Sequence, residues 1–301
     1  MNTKLIGGIL LVSGTTIGAG MLALPVISGF AGFIPSLSLL ILFWIYMTFT
    51  AFLVLEVNLW MEHQHTNLIS MAKKTLGRWG EGISWITYLF LLYSLTTAYI
   101  AGSGPIVADL VEGLTGQTIP PFLGSTPLLL IFGACVYRGT YFVDYVNRIL
   151  MFGLVITYVV IVAKITPHLK PKLLLYTDWK YLAIAVSIVA TSFGFHIVIP
   201  TLTAYFEKNI PLLRKAILIG SIVPLIVYAL WELLTMGTIS IEGRNSLTQG
   251  WEEGSNGAHL LIGILGNTTL GFITRCFSFF AIVTSFLGVS LSLSDFLADG
   301  L

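Results

Sequence analysis

The first apolar segment of the chain is interrupted near its middle by Ser13-Gly14-Thr15-Thr16-Ile17-Gly18-Ala19-Gly20, and Pro25 follows. Each of the three glycines weakens a helix relative to alanine. If the helix opens here, it frees amide and carbonyl groups, which in lipid need a polar cavity or a ligand. We therefore predict a broken membrane helix. Close helix packing stays open as the alternative, because Gly14 and Gly18 have the small-xxx-small spacing.

The composition of the whole chain is typical of a membrane protein. Of the 301 residues, 56% are hydrophobic and 10% are charged, whereas a soluble domain has about 25% charged residues. The mean hydropathy is +0.90. A net charge of +1 without a basic patch gives no reason to expect nucleic acid as a partner. Cys135 and Cys276 form no disulfide framework, and the histidines show no metal-ligand spacing, so we expect no metal and no cofactor.

Eight segments have the length and apolarity of membrane spans. They lie at about 5–32, 35–61, 82–111, 126–141, 146–166, 180–205, 213–239 and 268–297. The fourth is weak because its apolar core, Pro127 to Tyr137, is short. The fold class predicted from this pattern is an all-α polytopic membrane protein. The basic residues favour one set of loops, which predicts a cytoplasmic N-terminus, although Lys164 to Lys180 opposes this orientation.

A second interruption resembles the first. Span six contains Thr191-Ser192-Phe193-Gly194-Phe195-His196 and then Pro200, which lies 175 residues after Pro25. Spans two and seven each carry one glutamate, Glu56 and Glu232, which are 176 residues apart. Because five spans separate each pair, the two copies would cross the membrane in opposite directions, as in an inverted-topology repeat. We predict one transmembrane domain, 1–301, with a first repeat at about 1–166 and an incomplete second repeat at about 180–301.

Two broken helices that face each other suit an amino acid. A half-helix N-terminus attracts a carboxylate, and freed carbonyls attract an ammonium group. His196 could also bond a substrate hydroxyl or transfer a proton, and the aromatic residues near the breaks or in span three could contact a substrate side chain. Ordinary packing is the alternative for these side chains. The predicted substrate-binding residues are Ser13, Gly14, Thr15, Thr16, Gly18, Gly20, Tyr93, Tyr99, Phe193, Gly194, Phe195 and His196.

A further group of polar residues is predicted to act in coupling or gating. Glu56 and Glu232 lie in apolar runs, where carboxylates are costly and are functional candidates, unless they cap a helix near the interface. Thr284 and Ser285 place hydroxyls in span eight, where they coordinate an ion or bond their own helix. Asp295 lies near the end of that span, and we expect it at the cytoplasmic mouth.

Four motifs together resemble the hydroxy and aromatic amino acid permeases, which are bacterial tyrosine- and tryptophan-specific transporters of the amino acid–polyamine–organocation superfamily. The resemblance implies the five-plus-five inverted-repeat fold, with substrate held between spans one and six and help from spans three and eight. It also implies proton-driven import of an aromatic amino acid, tyrosine first and tryptophan next, across the bacterial inner membrane. The motifs are the run from Gly14 to Pro25, Ala98-Tyr99-Ile100-Ala101-Gly102-Ser103-Gly104, Ser192-Phe193-Gly194-Phe195-His196, and Thr284-Ser285-Phe286-Leu287-Gly288 with Asp295-Phe296.

Other functions remain open at this point. Family members have more spans than this chain, so we expect a fold truncated after about eight spans, and a non-functional fragment is one alternative. An amino-acid-binding sensor of transporter shape is another. A membrane enzyme is disfavoured because Glu56, Glu232 and His196 lie on three spans without a supporting catalytic motif. A channel would show a ring of charge or a repeated pore motif, and none is present.

Overall fold

A computed structural model describes residues 3–61, 67–265 and 268–300, and the regular elements within these ranges are all helical. The α-helices are α1 (Thr3–Thr16), α2 (Gly20–Ser28), α3 (Phe33–Leu59), α4 (Leu68–Thr115), α5 (Pro121–Gly124), α6 (Gly133–Tyr137), α7 (Thr140–Ile165), α8 (Leu182–Ser192), α9 (Ile199–Tyr205), α10 (Ile210–Met236), α11 (Leu247–Glu253), α12 (Gly257–Leu265) and α13 (Thr268–Gly300). The all-α prediction is confirmed.

Six helices of the described ranges are long and apolar enough to cross a membrane, and there are seven if α1 and α2 are counted as one bent span. These seven correspond to all the predicted spans except the fourth. The fourth segment forms a shorter apolar stretch, Pro121–Tyr137, which includes a π-helical turn at Leu128–Phe132. Its length is too small for a straight crossing, because a helix rises about 1.5 Å per residue and needs about 20 residues.

The helices form two compact units. The first contains Met1–Trp85 and His168–Ile264, and the second contains Ile86–Pro167 and Leu265–Leu301. In the first unit, α10 packs on α1, α2 and α3, while α8 packs on α2 and α3. Helix α9 packs on α3 and α1. The core of this unit is built from aliphatic residues of these helices, among them Leu5, Val12, Leu55, Leu202 and Ile217.

The second unit is organised around α13, which packs on α7 and α6. Its core includes Leu128, Val143, Val283 and Leu287. Gly153 of α7 lies against the ring of Phe280, since a Cβ at this glycine would be 2.7 Å from the ring. The small residue therefore lets α7 and α13 approach closely, as glycine does in membrane helix pairs.

The outer surface of the first unit is apolar along α3. Leu42, Ile45, Tyr46, Phe49 and Leu53 are each at least 46% exposed. An apolar surface of this kind is unfavourable in water and is typical of a helix in contact with lipid. The low charge content of the sequence has its structural counterpart in this surface.

The α1–α10 contact gives a test of the packing in the first unit. A Cβ on Gly220 of α10 would be 2.7 Å from the Val12 side chain and 3.1 Å from the Ile9 carbonyl oxygen. We expect Gly220→Ala to lower the stability of the purified protein by about 1–3 kcal/mol, the usual cost of overpacking. Thermal unfolding in detergent measures it. Gly82→Ala is the matched control, because a Cβ there meets nothing within 4 Å, and an equal loss in both variants would contradict the prediction.

Candidate functional site

The first break separates α1 from α2 by three residues and bends the span by 52°. The amide of Ile17 still donates to the Ser13 carbonyl at 2.8 Å, so the helical pattern ends just after Thr16. The Gly18 N–H has no hydrogen-bond acceptor among the residues that the structure describes. A free amide at mid-span is costly in lipid unless a ligand or water reaches it. The predicted break in span one is therefore present, and its unbonded donor belongs to a buried glycine.

The second break follows α8, which ends at Ser192. Phe193 (φ −102°, ψ 26°) and Gly194 (φ −78°, ψ 44°) leave helical geometry. A 3₁₀ turn at Phe195–Val198 leads into α9. Gly194 is exposed, and its N–H bonds only back to the Thr191 carbonyl at 3.2 Å. Span six is thus interrupted at the position that the sequence predicts.

One side chain joins the two breaks. Tyr228 of α10 is fully buried, and its hydroxyl donates to the Thr16 carbonyl at 2.5 Å and to the Ser192 carbonyl at 3.0 Å. Thr16 and Ser192 are the last residues of α1 and α8. The ring of Phe193 packs edge-on against the Tyr228 ring, with centroids 5.4 Å apart. The sequence analysis missed Tyr228; the available signal was its position one helical turn before Glu232, on the same face of α10.

The two breaks also touch through small residues. A Cβ built on Gly20, the first residue of α2, would lie 2.9 Å from the Ser192 Oγ atom and 3.7 Å from its Cβ. The Ser192 hydroxyl donates to the Ile188 carbonyl at 2.7 Å and is held in place by this bond. Glycine at position 20 is therefore required by close approach between α2 and α8.

The predicted binding hydroxyls of span one bond within their own helix. The donors Ser13, Thr15 and Thr16 reach the carbonyls four residues earlier, at 2.7–2.9 Å. Ser13 and Thr16 are buried, whereas Thr15 is exposed. Such back-bonds occupy the hydroxyl proton but leave the oxygen able to accept. Thr15 is thus the hydroxyl of this group that remains accessible.

The aromatic residues of the second break lie inside the first unit. Phe193 and Phe195 are fully buried, the former against Tyr228 and the latter in the aliphatic core. His196 is partly buried; its Nε2 atom is 2.8 Å from the Thr50 hydroxyl, and its ring also bonds the Met47 backbone. Contacts of this kind are typical of packing residues, the alternative that the sequence left open for each of them, and their role in substrate binding stays a prediction.

The two glutamates of spans two and seven have different surroundings. Glu232 is 0% exposed; its Oε1 atom accepts a 2.6 Å hydrogen bond from Ser28 of α2. Its Oε2 atom has no hydrogen-bond partner in the described part of the chain. Glu56 is exposed on the surface of α3. A charged carboxylate without full hydrogen bonding is costly away from water, and this cost applies to the buried Glu232 and not to the exposed Glu56.

The second unit holds the remaining predicted residues. Tyr93 is 50% exposed. Tyr99 of α4 shares a side-chain hydrogen bond with Ser285 of α13, and the Thr284 hydroxyl donates to the Phe280 carbonyl at 2.8 Å. The side chain of Asp295 lies outside the described residues. Within the described ranges, no group of three or more His, Cys, Asp or Glu residues is placed to hold a metal ion.

A bundle of apolar helices with mid-span breaks is the architecture of a polytopic membrane transporter. The comparison with known proteins gives the family. The whole chain, residues 1–301, matches the tryptophan/tyrosine permease family, and the chain belongs to it. It is therefore a permease, a multi-pass membrane protein, and not an enzyme.

Several curated relatives are similar over nearly the whole chain. The tyrosine-specific transport system 1 of Haemophilus influenzae is 35% identical over 98% of this chain and 73% of its own length. The tryptophan-specific transport protein of Pseudomonas aeruginosa is 29% identical over 98% of this chain and 72% of its own length. The glutamine transporter 2 of Aliivibrio fischeri is 30% identical over 97% of this chain and 74% of its own length.

The contact between the breaks is tested by a double-mutant cycle. We expect Gly20→Ala to destabilise the purified protein, because its Cβ would press on the Ser192 hydroxyl. Ser192→Ala removes that oxygen and leaves the nearest side-chain atom at 3.7 Å, an ordinary contact. The double variant should then recover part of the loss, with a coupling of about 0.5–3 kcal/mol in thermal unfolding. Strict additivity of the two single changes would contradict a direct contact.

Proposed function

We propose that this permease imports an aromatic amino acid by proton symport, with tyrosine preferred and tryptophan next. It would act in the bacterial inner membrane with a cytoplasmic N-terminus. Membership of the tryptophan/tyrosine permease family supports the substrate class. The single structural observation that carries the proposal is the pair of breaks at mid-span, where backbone groups are available inside an apolar bundle.

Three groups at the breaks suit the backbone of an amino acid: the buried Gly18 amide, the exposed Thr15 hydroxyl and the exposed Gly194 backbone. The Gly18 N–H, which has no acceptor in the described part of the chain, lies just before α2, and the N-terminal end of a helix carries partial positive charge. It suits a substrate carboxylate. The exposed Thr15 hydroxyl oxygen and nearby carbonyls of α1 are acceptors for an ammonium group. We assign the recognition of the amino acid backbone to these groups of span one together with Gly194 of span six.

The packing within the first unit supports an inverted repeat. If α1, α2 and α3 are exchanged with α8, α9 and α10, the α1–α10 contact becomes the α8–α3 contact, which is also present. Likewise α2–α10 becomes α9–α3, and α2–α8 becomes α9–α1. Paired packing of this kind is expected of a five-plus-five transporter, where one repeat moves against the other around a fixed site.

Uptake into proteoliposomes tests the proposed function. We expect the purified protein to accumulate radiolabelled tyrosine when the lumen is alkaline, and a protonophore should remove the accumulation. Unlabelled tyrosine and tryptophan should compete more strongly than glutamine. Uptake no greater than in protein-free liposomes would contradict transport, and competition led by glutamine would contradict an aromatic substrate. Saturable tyrosine binding without uptake would instead favour a sensor.

We assign the coupled proton to Glu232. Its Oε1 atom is bonded to Ser28 at the end of α2, the half-helix that starts at the first break. Loss or gain of a proton at Glu232 changes the charge next to Ser28 and therefore the strength of the Ser28–Glu232 hydrogen bond. Protonation of Glu232 and the position of α2 thus depend on each other. Because Glu232 is buried, its charged form is costly without a partner of opposite charge. This cost is the reason why we assign the coupled proton to Glu232.

Glu232→Gln tests this assignment, since the amide resembles a permanently protonated carboxyl. We expect the variant to lose accumulation driven by the proton gradient while keeping tyrosine exchange between the two sides, because exchange needs no net proton movement. Glu242→Gln is the control, as Glu242 is exposed in a loop. Accumulation in the Glu232 variant equal to that of the wild type would overturn the assignment.

A further inference from the structure

Tyr228 is the one buried side chain of α10 whose donor reaches both breaks. We propose that it is a positioning residue whose hydroxyl takes the place of a bound cation between the breaks, so that this site needs no sodium ion. The inference rests on the proposed function, because it concerns the ion requirement of the same transport step. The proton-symport proposal alone assigns no role to Tyr228 and does not say why sodium would not be needed. This inference adds both.

The carbonyls of Thr16 and Ser192 are where a cation would be expected. Each ends a half-helix, α1 and α8, and the C-terminal end of a helix carries partial negative charge. In transporters with broken helices, such carbonyls coordinate the coupling ion. Here both oxygens converge on one point, 2.5 Å and 3.0 Å from a single phenolic oxygen. Two facing carbonyl oxygens, both partly negative, need a donor or a positive charge between them. The partly positive hydrogen of the Tyr228 hydroxyl meets this need.

The surroundings of Tyr228 fix the hydroxyl at this point. The side chain is fully buried, and the edge-on contact with Phe193 restricts its ring. An ion could displace the hydroxyl only if the ring left its packing. A buried aromatic side chain of this size makes such a movement costly. The hydroxyl therefore belongs to the permanent structure of the junction, unlike an ion that enters and leaves.

The relation between the repeats explains why one hydroxyl is enough. Thr16 and Ser192 are 176 residues apart, the same separation as Glu56 and Glu232, so they occupy equivalent positions. The position equivalent to Tyr228 is Phe52, which has a ring of similar shape without a hydroxyl. One proton serves the ends of both half-helices. Because the hydroxyl can keep its bond to either carbonyl, it can remain bonded when one half-helix moves.

The first test is Tyr228→Phe in the full chain, followed by hydrogen–deuterium exchange. The variant keeps the ring and its contact with Phe193 and loses only the donor. We expect amide exchange in segments 13–20 and 191–198 to be at least about tenfold faster than in the wild type, because their local opening becomes easier. Segments of the second unit should be unchanged. Tyr46→Phe is the matched control, since Tyr46 is 56% exposed on α3.

The second test uses the wild-type protein and therefore does not depend on whether the variant folds. Initial tyrosine uptake, with the pH gradient held constant, is measured in sodium, potassium or choline buffer. We expect equal rates in all three. In the Tyr228→Phe variant, we expect the KM for tyrosine to rise at least about tenfold, because the two half-helix ends are no longer held together.

Each arm can overturn the inference. A sodium requirement of the wild type would show that the hydroxyl does not replace the ion. Unchanged exchange at both breaks in the Tyr228→Phe variant would show that it does not hold them. Failure of the proposed function looks different: the wild type would then take up no aromatic amino acid in any buffer, while the exchange measurement would still report on Tyr228.

Discussion

Backbone groups inside a membrane must be satisfied, and the first unit of this permease depends on how it meets that demand at two places. A continuous helix would satisfy every amide and carbonyl internally. Here α1 and α8 stop at Thr16 and Ser192, and the Tyr228 hydroxyl bonds both terminal carbonyls. The close approach of Gly20 to Ser192 brings the breaks together at this junction. Without such partners the breaks would be too costly to keep, and with complete partners they would have nothing left to bind a ligand.

The need of buried polar groups for hydrogen-bond partners also explains the surroundings of Glu232. Ser28 at the end of α2 donates to Glu232, and the Ser28 carbonyl accepts from Ser36 near the start of α3 at 2.8 Å. These bonds connect α2, α3 and α10 through polar groups in an otherwise apolar region. Within the described ranges, the Glu232 Oε2 atom has no hydrogen-bond partner. An incomplete polar network of this kind is sensitive to the protonation of its members. Helix α2, which starts at the first break, thus ends at the bond to the buried acid.

The sequence was sufficient for the helical class, the positions of both breaks and seven of the eight spans. These features follow from hydropathy and from glycine and proline, which act locally. It was harder to predict which face of each helix is buried, because a uniformly apolar span has no polar side that would indicate its orientation. Glu56 and Glu232 look alike in sequence, yet one is exposed and the other is 0% exposed. Tyr228 was overlooked for the same reason, since its role depends on which helix ends lie opposite it.

The aromatic residues at the second break are another case in which the sequence did not show which way the side chains point. Phe193 and Phe195 flank Gly194, so a sequence places both next to the opening. In the structure the backbone turn at Phe193 and Gly194 directs both rings into the core of the first unit. The glycine, with no side chain, is the part of this segment left exposed. The second break thus exposes its backbone at Gly194 and buries its large side chains.

In the inverted repeat that we propose, the two copies share their packing but differ in chemistry. With the 176-residue separation, Tyr228 corresponds to Phe52, and His196 corresponds to Gly20. At these two positions the second copy carries the polar side chain and the first copy a small or apolar one, and Gly20 also allows the close approach of Ser192. An amino acid has distinct carboxylate and ammonium ends, so a site with identical halves would bind it equally well in two opposite directions. Equivalent helices can give the two breaks their common geometry, but only unequal side chains can give a bound amino acid a single orientation.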